Sequence, residues 1–338
     1  MNSGRSRIPL SSIHIERCPA CGQTTTDHVL SVADTLTQDI YGDRLGEKVI
    51  NTLIRCRGCR LVRLSPRLAE DSLQRVYADW YSSGYVGTQA GQGGDKSRDR
   101  EFERGHLRRI AKVVRVPGSL LDVGTGSGVF LQVAARHGWR ATGLDFSREA
   151  AELARMHHGV DVRIGSLSSL PIEKCYDVIT MFDYLEHTTC PADDLEEAAR
   201  RLRKGGHLVI RVPNFGGWQA RVMGSKWVGI ISLHLTYFET NTLAELLASR
   251  GLAIVYSDSG NYQTLPELLG NKLAWVCRKT GSRGHDVGSK REVAPSQQSS
   301  TILRALRFAL ASFHELVDHA GGWFGRSNYI FVIARKRP

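Results

Sequence analysis

The 338-residue chain has no run of about 18 apolar residues, so it offers no candidate for a membrane-crossing helix. Its first stretch, "MNSGRSRIPLSS", also has no apolar core of the kind a secretory signal needs, and the expectation is a cytoplasmic protein without a membrane span. Runs of like charge are missing too. The 45 Lys and Arg against 34 Asp and Glu give a formal net charge of +11, but the basic residues lie singly and in pairs. Such an excess suits an anionic partner, yet without a basic tract a solvated surface is the better reading, and nucleic acid is not the expected partner. Extended disorder is excluded by a 41% hydrophobic content beside 23% charge. Seven cysteines without a secretory signal argue against a disulfide framework.

Four of those cysteines form two C-x-x-C pairs, Cys18-Pro-Ala-Cys21 and Cys56-Arg-Gly-Cys59. A tight turn lets both thiolates of a pair face one ion, and two pairs complete the tetrahedral Cys₄ shell that structural zinc prefers. The intervening "KVINTLIRC" reads as a strand that can present the second pair from a hairpin. Cys175, Cys190 and Cys277 read as isolated packing residues. A helix follows at roughly 69–78, with Tyr77, Trp80, Tyr81 and Tyr85 at its aromatic end, either packing or reaching over a neighbouring site. The polar, Gly-rich "GTQAGQGGDKSRDR" marks a joint near 87–98. The expected organisation is a zinc-ribbon-like module over 1–68, a helical connector and cap over 69–110, and an α/β domain over 111–338 with a lid at 213–238. An insertion containing a mobile linker at 281–300 completes that domain.

From residue 119 short apolar runs alternate with helical segments, which predicts an α/β fold: a doubly wound, seven-stranded, mostly parallel sheet with helices on both faces. Ligands bind such sheets at the carboxyl ends of the strands. The first strand ends in Asp122-Val-Gly124-Thr125-Gly126-Ser-Gly128, where glycines allow a tight turn and close backbone approach to a ligand. Asp122 is placed for a positively charged group rather than a pyrophosphate. Asp145 ends the second strand, about 20 residues on, where a carboxylate can accept both hydroxyls of a ribose, with Phe146 beside it. Ser166 and Leu167 after the third strand offer a polar and an apolar edge for an adenine.

These motifs resemble the class I S-adenosylmethionine-dependent methyltransferases. "LLDVGTGSG" is similar to their first motif, "GLDFS" to the ribose-binding strand end, "YDVITMFDYLEH" to the fourth strand, and "ARRLRKGGHLVIRVPN" to the helix and strand that follow. The resemblance implies that Asp122, Gly124, Thr125, Gly126, Gly128, Asp145 and Phe146, with Ser166, Leu167 and Phe182, hold S-adenosylmethionine. It also assigns "GLAIVYSDSG" and "NYIFVIARK" as sixth and antiparallel seventh strands. Cys18, Cys21, Cys56 and Cys59, "VYADWY" and the H-x-x-x-F of His234 to Phe238 look like a bacterial group associated with surface-polysaccharide and sugar biosynthesis. That likeness implies O-methylation of a sugar hydroxyl on a nucleotide- or lipid-linked glycan. The alternatives are a small aromatic or quinone-type metabolite, RNA, or a non-catalytic cofactor-binding scaffold.

An alcohol acceptor benefits from a general base, and His187, His234 and Tyr237 lie on segments expected to overhang the cofactor. The cluster Asp183-x-x-Glu186-His187 stays open between three roles. Asp183 and Glu186 can start a helix, His187 can serve as a base, or the three can bind a divalent metal. The last draws on a similar E-x-x-E-H in ubiquinone-pathway O-methyltransferases, from which Asp183 departs by one methylene. Nothing in the sequence sets the oligomeric state.

Overall fold

The computed structural model describes residues 8–42, 45, 47–82, 96–171, 173–258 and 327–337. The expected joint at 87–98 falls mostly outside these residues, as do Tyr85, Cys277 and the insertion with its linker at 281–300.

Strands β1 (Ser12–Ile13), β2 (Thr26–Ala33), β3 (Ile50–Cys56), β4 (Val62–Leu64) and β5 (Arg67–Leu68) precede helix α2 (Glu70–Ser82), with the short α1 (Thr35–Tyr41) between β2 and β3. Helix α3 (Lys96–Ala111) then leads into the α/β part. That part runs β6 (Ser119–Val123), α4 (Val129–Arg136), β7 (Arg140–Asp145), α5 (Arg148–His158), β8 (Val162–Ile164), β9 (Tyr176–Phe182), α6 (Pro191–Arg201) and β10 (Leu202–Pro213). Helix α7 (Trp218–Met223), β11 (Thr236–Tyr237), α8 (Thr240–Ser249), β12 (Leu252–Asp258) and β13 (Tyr329–Lys336) complete the described chain.

The seven-stranded sheet has the order β12-β13-β10-β9-β6-β7-β8. Strands β10, β9, β6, β7 and β8 pair in parallel, and β13 runs antiparallel to both β10 and β12. This is the expected doubly wound sheet with its last strand reversed. The chain proceeds outward from β6 through β7 to β8, then returns to the other side of β6 for β9. The crevice between β6 and β9 is therefore the topological switch point at which this architecture binds ligands.

Burial explains why the sequence adopts it. Successive strand residues face opposite sides, so Leu121 and Val123 with Ile179, Met181 and Ile210 enter one core, while Leu120, Val178, Val209 and Phe331 enter the other. Helices α6 and α8 cover the first face through Leu195, Ala198, Leu243 and Leu247. Helices α3 and α4 cover the second through Leu107, Ile110, Phe130 and Leu131. Helix α5 starts where the Ser147 hydroxyl accepts from the N–H of Ala150 at 3.1 Å, and it ends at Gly159 in the left-handed region.

The cysteine-bearing segment is less separate than the expected boundary at 68 suggests. Its four-stranded sheet has the order β11-β4-β3-β2, and β11 comes from the 213–238 segment expected as a lid, pairing Thr236 with Arg63 and Tyr237 with Val62. Cys18, Cys56 and Leu61 also pack into the same core as the first face of the large sheet.

Candidate functional site

The Gly-rich turn folds back on the sheet edge in a way its residue types dictate. Gly124, Gly126 and Gly128 have φ of 75°, 52° and 78°, a region costing other L-residues about 1–2 kcal/mol. A Cβ on Gly124 would also lie 2.8 Å from the Tyr184 ring, and one on Gly128 would lie 2.8 Å from Ala154. Thr125 is a buried peg whose hydroxyl donates to the Asp122 carbonyl at 2.9 Å and accepts from the N–H of Leu144 at 3.1 Å. Asp145 is held by the N–H groups of Gly126 and Ser147, each at 2.9 Å, which fixes its carboxylate at the carboxyl end of β7. Phe146, the next residue, leaves 53% of its surface exposed. Asp122 is buried, and burial raises its acid to about 7 even though the Thr180 hydroxyl donates to it at 2.7 Å. A cation arriving beside it would restore the carboxylate.

The other side of the crevice corrects several expectations. Leu167 is fully buried in the core, so its side chain is not an adenine edge; Ser166 stays exposed, 2.9 Å from the Ser168 hydroxyl. Phe182 lies against His106, with ring centroids 4.0 Å apart and nearly parallel, and meets Phe130 edge-on at 4.9 Å. It belongs to the α3–α4 side rather than standing as an open adenine face. Asp183 does not start a helix: α6 begins eight residues later, with Cys190 as its N-cap. Instead Asp183 has a φ of 49° and pairs with the buried guanidinium of Arg211, which stacks 3.8 Å over Tyr329. Glu186 starts no helix either and is buried before one begins.

The turn after β9 brings together Glu186, His187 and, from the lid, His234. One ligand atom of each lies within 4.8 Å of the others. Glu186 is 2% exposed, neither carboxylate oxygen has a hydrogen-bond partner, and burial pushes its acid well above the ordinary range. His187 Nδ1 lies 2.9 Å from the Leu233 carbonyl, and His234 Nδ1 lies 2.8 Å from the Gly229 carbonyl. A carbonyl only accepts, so both Nδ1 atoms carry the proton and both Nε2 atoms present lone pairs. Burial lowers His187 to about 3 and His234 to about 4, so both are neutral at pH 7 and weak as bases. Tyr237 borders the cluster: its ring meets His234 edge-on at 6.3 Å and packs on Phe215 and Trp227, while its hydroxyl donates to the Ile231 carbonyl at 3.4 Å.

Two residues organise this cluster: Tyr77, one of the aromatics expected to pack or to reach over a neighbouring site, and Asp34, which sequence reasoning did not select. Tyr77 of α2 meets Phe146 edge-on at 5.2 Å and His187 at 5.9 Å, linking the β7 end to the histidines. The buried Asp34 carboxylate accepts from the N–H of Thr37, the amide of Asn51 and the N–H of Ser232, at 2.8, 2.8 and 2.7 Å. It thereby ties the cysteine-bearing segment to the lid two residues before His234. The only sequence signal for Asp34 is its position as an N-cap before α1.

The four expected cysteines converge. Cys18 and Cys59 Sγ are 3.5 Å apart, Cys21 and Cys56 Sγ are 3.6 Å apart, and all four lie within 4.8 Å of one another. Each knuckle turns on the residue after its second cysteine, Gly22 at φ 76° and Arg60 at φ 64°. The N–H of Gly22 donates to the Cys18 carbonyl and that of Arg60 to the Cys56 carbonyl. The donor set and the matched turns fit a tetrahedral divalent ion.

The fold defines a Rossmann-like α/β domain whose Gly-rich turn and Asp145 meet at the carboxyl ends of β6 and β7. Residues 95–257 match the family model described as a methyltransferase domain, and this part of the chain has the Rossmann-like methyltransferase fold. Among curated relatives, the ubiquinone biosynthesis O-methyltransferase of Serratia proteamaculans (strain 568) is 32% identical over 120 residues, 32% of this chain and 49% of the relative. The protein of the same name from Xylella fastidiosa (strain 9a5c) is 32% identical over 132 residues, 36% of this chain and 54% of the relative. The chain thus spans about half the length of the curated relatives it matches. A solved S-adenosylmethionine-dependent methyltransferase from Archaeoglobus fulgidus is similar at a TM-score of 0.47 and 17% identity, over 75% of this chain and 99% of that one. That likeness is too loose to bear on the acceptor.

Proposed function

We propose that the chain transfers a methyl group from S-adenosylmethionine to a hydroxyl of a small aromatic or quinone-type molecule. The observation that carries this reading is the placement of the Glu186, His187 and His234 cluster beside Tyr77 and Phe146, at the carboxyl end of the sheet where the Gly-rich turn lies. The names of the relatives support a quinone-type acceptor over the sugar hydroxyl expected from the sequence. For RNA, the basic residues remain scattered.

The residues present fit the cofactor, which supplies a methyl group already activated by its sulfonium charge. The Asp145 carboxylate is oriented by two backbone N–H groups and keeps lone pairs for ribose hydroxyls. Phe146 offers an exposed ring beside it, and the buried Asp122 gains its charge when a cation approaches. Tyr77, His187 and His234 bound the acceptor side, and alignment of donor and acceptor is the main catalytic contribution. When bound, the cofactor would supply an electrophilic methyl group to the acceptor oxygen, and the hydroxyl proton would pass to the free Nε2 of His187 or His234 and on to solvent.

The test is methyl transfer from labelled S-adenosylmethionine to quinone-type phenols. The wild-type chain should label them. Asp145→Ala should lose cofactor binding, and His187→Ala should keep binding but lose transfer. Equal transfer by His187→Ala and the wild type would remove the cluster from the acceptor side.

The four cysteines belong to the same reading as a structural zinc site. Support comes from their mutual distances and paired knuckle turns; four cysteine ligands leave no open coordination position, so the ion would fold the segment rather than act on substrate.

A further inference from the structure

Resting on the zinc reading above, we infer that Arg63 is the counter-ion of the four-cysteine centre: its guanidinium balances the charge that the thiolates keep around a divalent ion. Arg63 lies on β4 and is only 2% exposed. Its Nη2 donates to the Glu16 carbonyl at 3.3 Å, and its Nε and Nη1 are buried with no hydrogen-bond partner. No carboxylate among the described residues therefore bonds to it. A guanidinium does not lose its proton in a protein, so the cost of burying it falls only if an anion lies close by.

Strand register indicates which anion. Strands β3 and β4 pair Ile54 with Arg63, and the N–H of Cys56 donates to the Leu61 carbonyl. Side chains alternate along a strand, so Arg63, Leu61, Ile54 and Cys56 share one face of the small sheet. Cys56 is then the diagonal neighbour of Arg63, about 7–8 Å away, a span that long side chains cover. The other knuckle approaches from the Glu16 side, since that residue stands two before Cys18, and Cys18, Cys56 and Leu61 pack into one core. Four thiolates around a divalent ion leave two negative charges, which is the anion the guanidinium lacks. The buried Glu186 carboxylate is not that anion, because neither of its oxygens has a hydrogen-bond partner. Strand β11 closes over the arrangement: Thr236 lies opposite Arg63, and its hydroxyl donates to the Leu185 carbonyl at 3.3 Å.

The test compares the full chain with Arg63→Met, Arg63→Gln and Arg63→Lys. Zinc affinity is measured by competition with a chelator, and urea unfolding is followed with and without zinc. Arg63→Met and Arg63→Gln should each weaken zinc binding by about 10–100-fold, and Arg63→Lys, which keeps the charge, should recover most of the loss. With zinc bound, Arg63→Met should unfold at lower urea than the wild type; without zinc it should match or exceed it, because the uncompensated cation is gone. In Co²⁺-loaded protein the sulfur-to-metal charge transfer should move to longer wavelength in Arg63→Met, since no neighbouring cation then holds the thiolate electrons. If Arg63→Met does not fold, Arg63→Gln against Arg63→Lys carries the same comparison. Unchanged zinc affinity in the neutral variants, an equal loss in Arg63→Lys, or equal destabilisation with and without zinc would each overturn the assignment. A wild-type chain showing no sulfur-to-metal charge transfer with Co²⁺ would remove the zinc reading itself, and the counter-ion role with it.

Discussion

Replacing Asp34 by alanine should release the lid from the cysteine-bearing segment and cost a large part of the protein's stability. The Asp34 carboxylate serves three buried donors: the N–H of Thr37, the amide of Asn51 and the N–H of Ser232. Loss of the Thr37 contact is loss of an N-cap, about 1 kcal/mol. Each of the other two donors, left buried without an acceptor, costs about 1–3 kcal/mol, reduced wherever water enters or the chain relaxes. The expected total is about 3–5 kcal/mol, against about 5–15 kcal/mol for a typical folded domain. In urea the midpoint should fall by between about 1 and 2 M at an unchanged slope of about 3 kcal/mol/M. Asp34→Asn keeps one oxygen acceptor and should fall between the two. Because Ser232 precedes His234 by two residues, methyl transfer should fall in Asp34→Ala even under conditions where it is folded. A loss below about 1 kcal/mol would refute the view that this carboxylate fastens the lid.

Further outcomes follow from the same geometry. Gly124→Ala combines φ of 75° with a 2.8 Å approach to the Tyr184 ring, so it should cost about 1–2 kcal/mol or more and weaken S-adenosylmethionine binding measured by calorimetry. Unchanged affinity would separate Gly124 from the cofactor. Burial raises Asp122 to about 7, and its carboxylate form attracts the cationic cofactor. Affinity should therefore be full above that pH and decline as pH falls through it, approaching tenfold per unit, while Asp122→Asn should show a flat profile. Stripping zinc from the four cysteines should remove on the order of 10 kcal/mol of folding free energy from their segment, read as protease cleavage within 18–68. Since Cys18 and Cys56 share a core with the large sheet, the loss should also lower the thermal midpoint of the methyltransferase domain.

What could be read from the sequence was what depends on local residue type. The apolar runs at strand spacing gave the doubly wound sheet, while the reversed last strand was expected only from the family resemblance. The glycines of the turn and the two C-x-x-C pairs carry their geometry in their own backbone needs, and they lie where their spacing implied. The side chains at strand ends were harder to read. In a strand buried on both faces, the period-2 pattern does not tell which face Phe182 takes, and α3 and α4 drew it toward His106 and Phe130. Asp183 fits a helix N-cap locally, but Arg211 of the neighbouring strand claims it, and the chain stays irregular to Cys190. His234 joins Glu186 and His187 because the N–H groups of Leu235 and Thr236 donate to the Glu186 carbonyl and the Leu233 carbonyl meets His187 Nδ1, contacts between segments far apart in the chain. Asp34 escaped notice for the same reason.

The most direct test of the central claim is transfer of labelled methyl from S-adenosylmethionine, with quinone-type phenols, sugar nucleotides and RNA offered in parallel to the full chain. The account predicts label in the phenol fraction, dependent on Asp145, His187 and His234. Cofactor binding with no label in any pool, or label confined to sugar nucleotide or RNA, would contradict it.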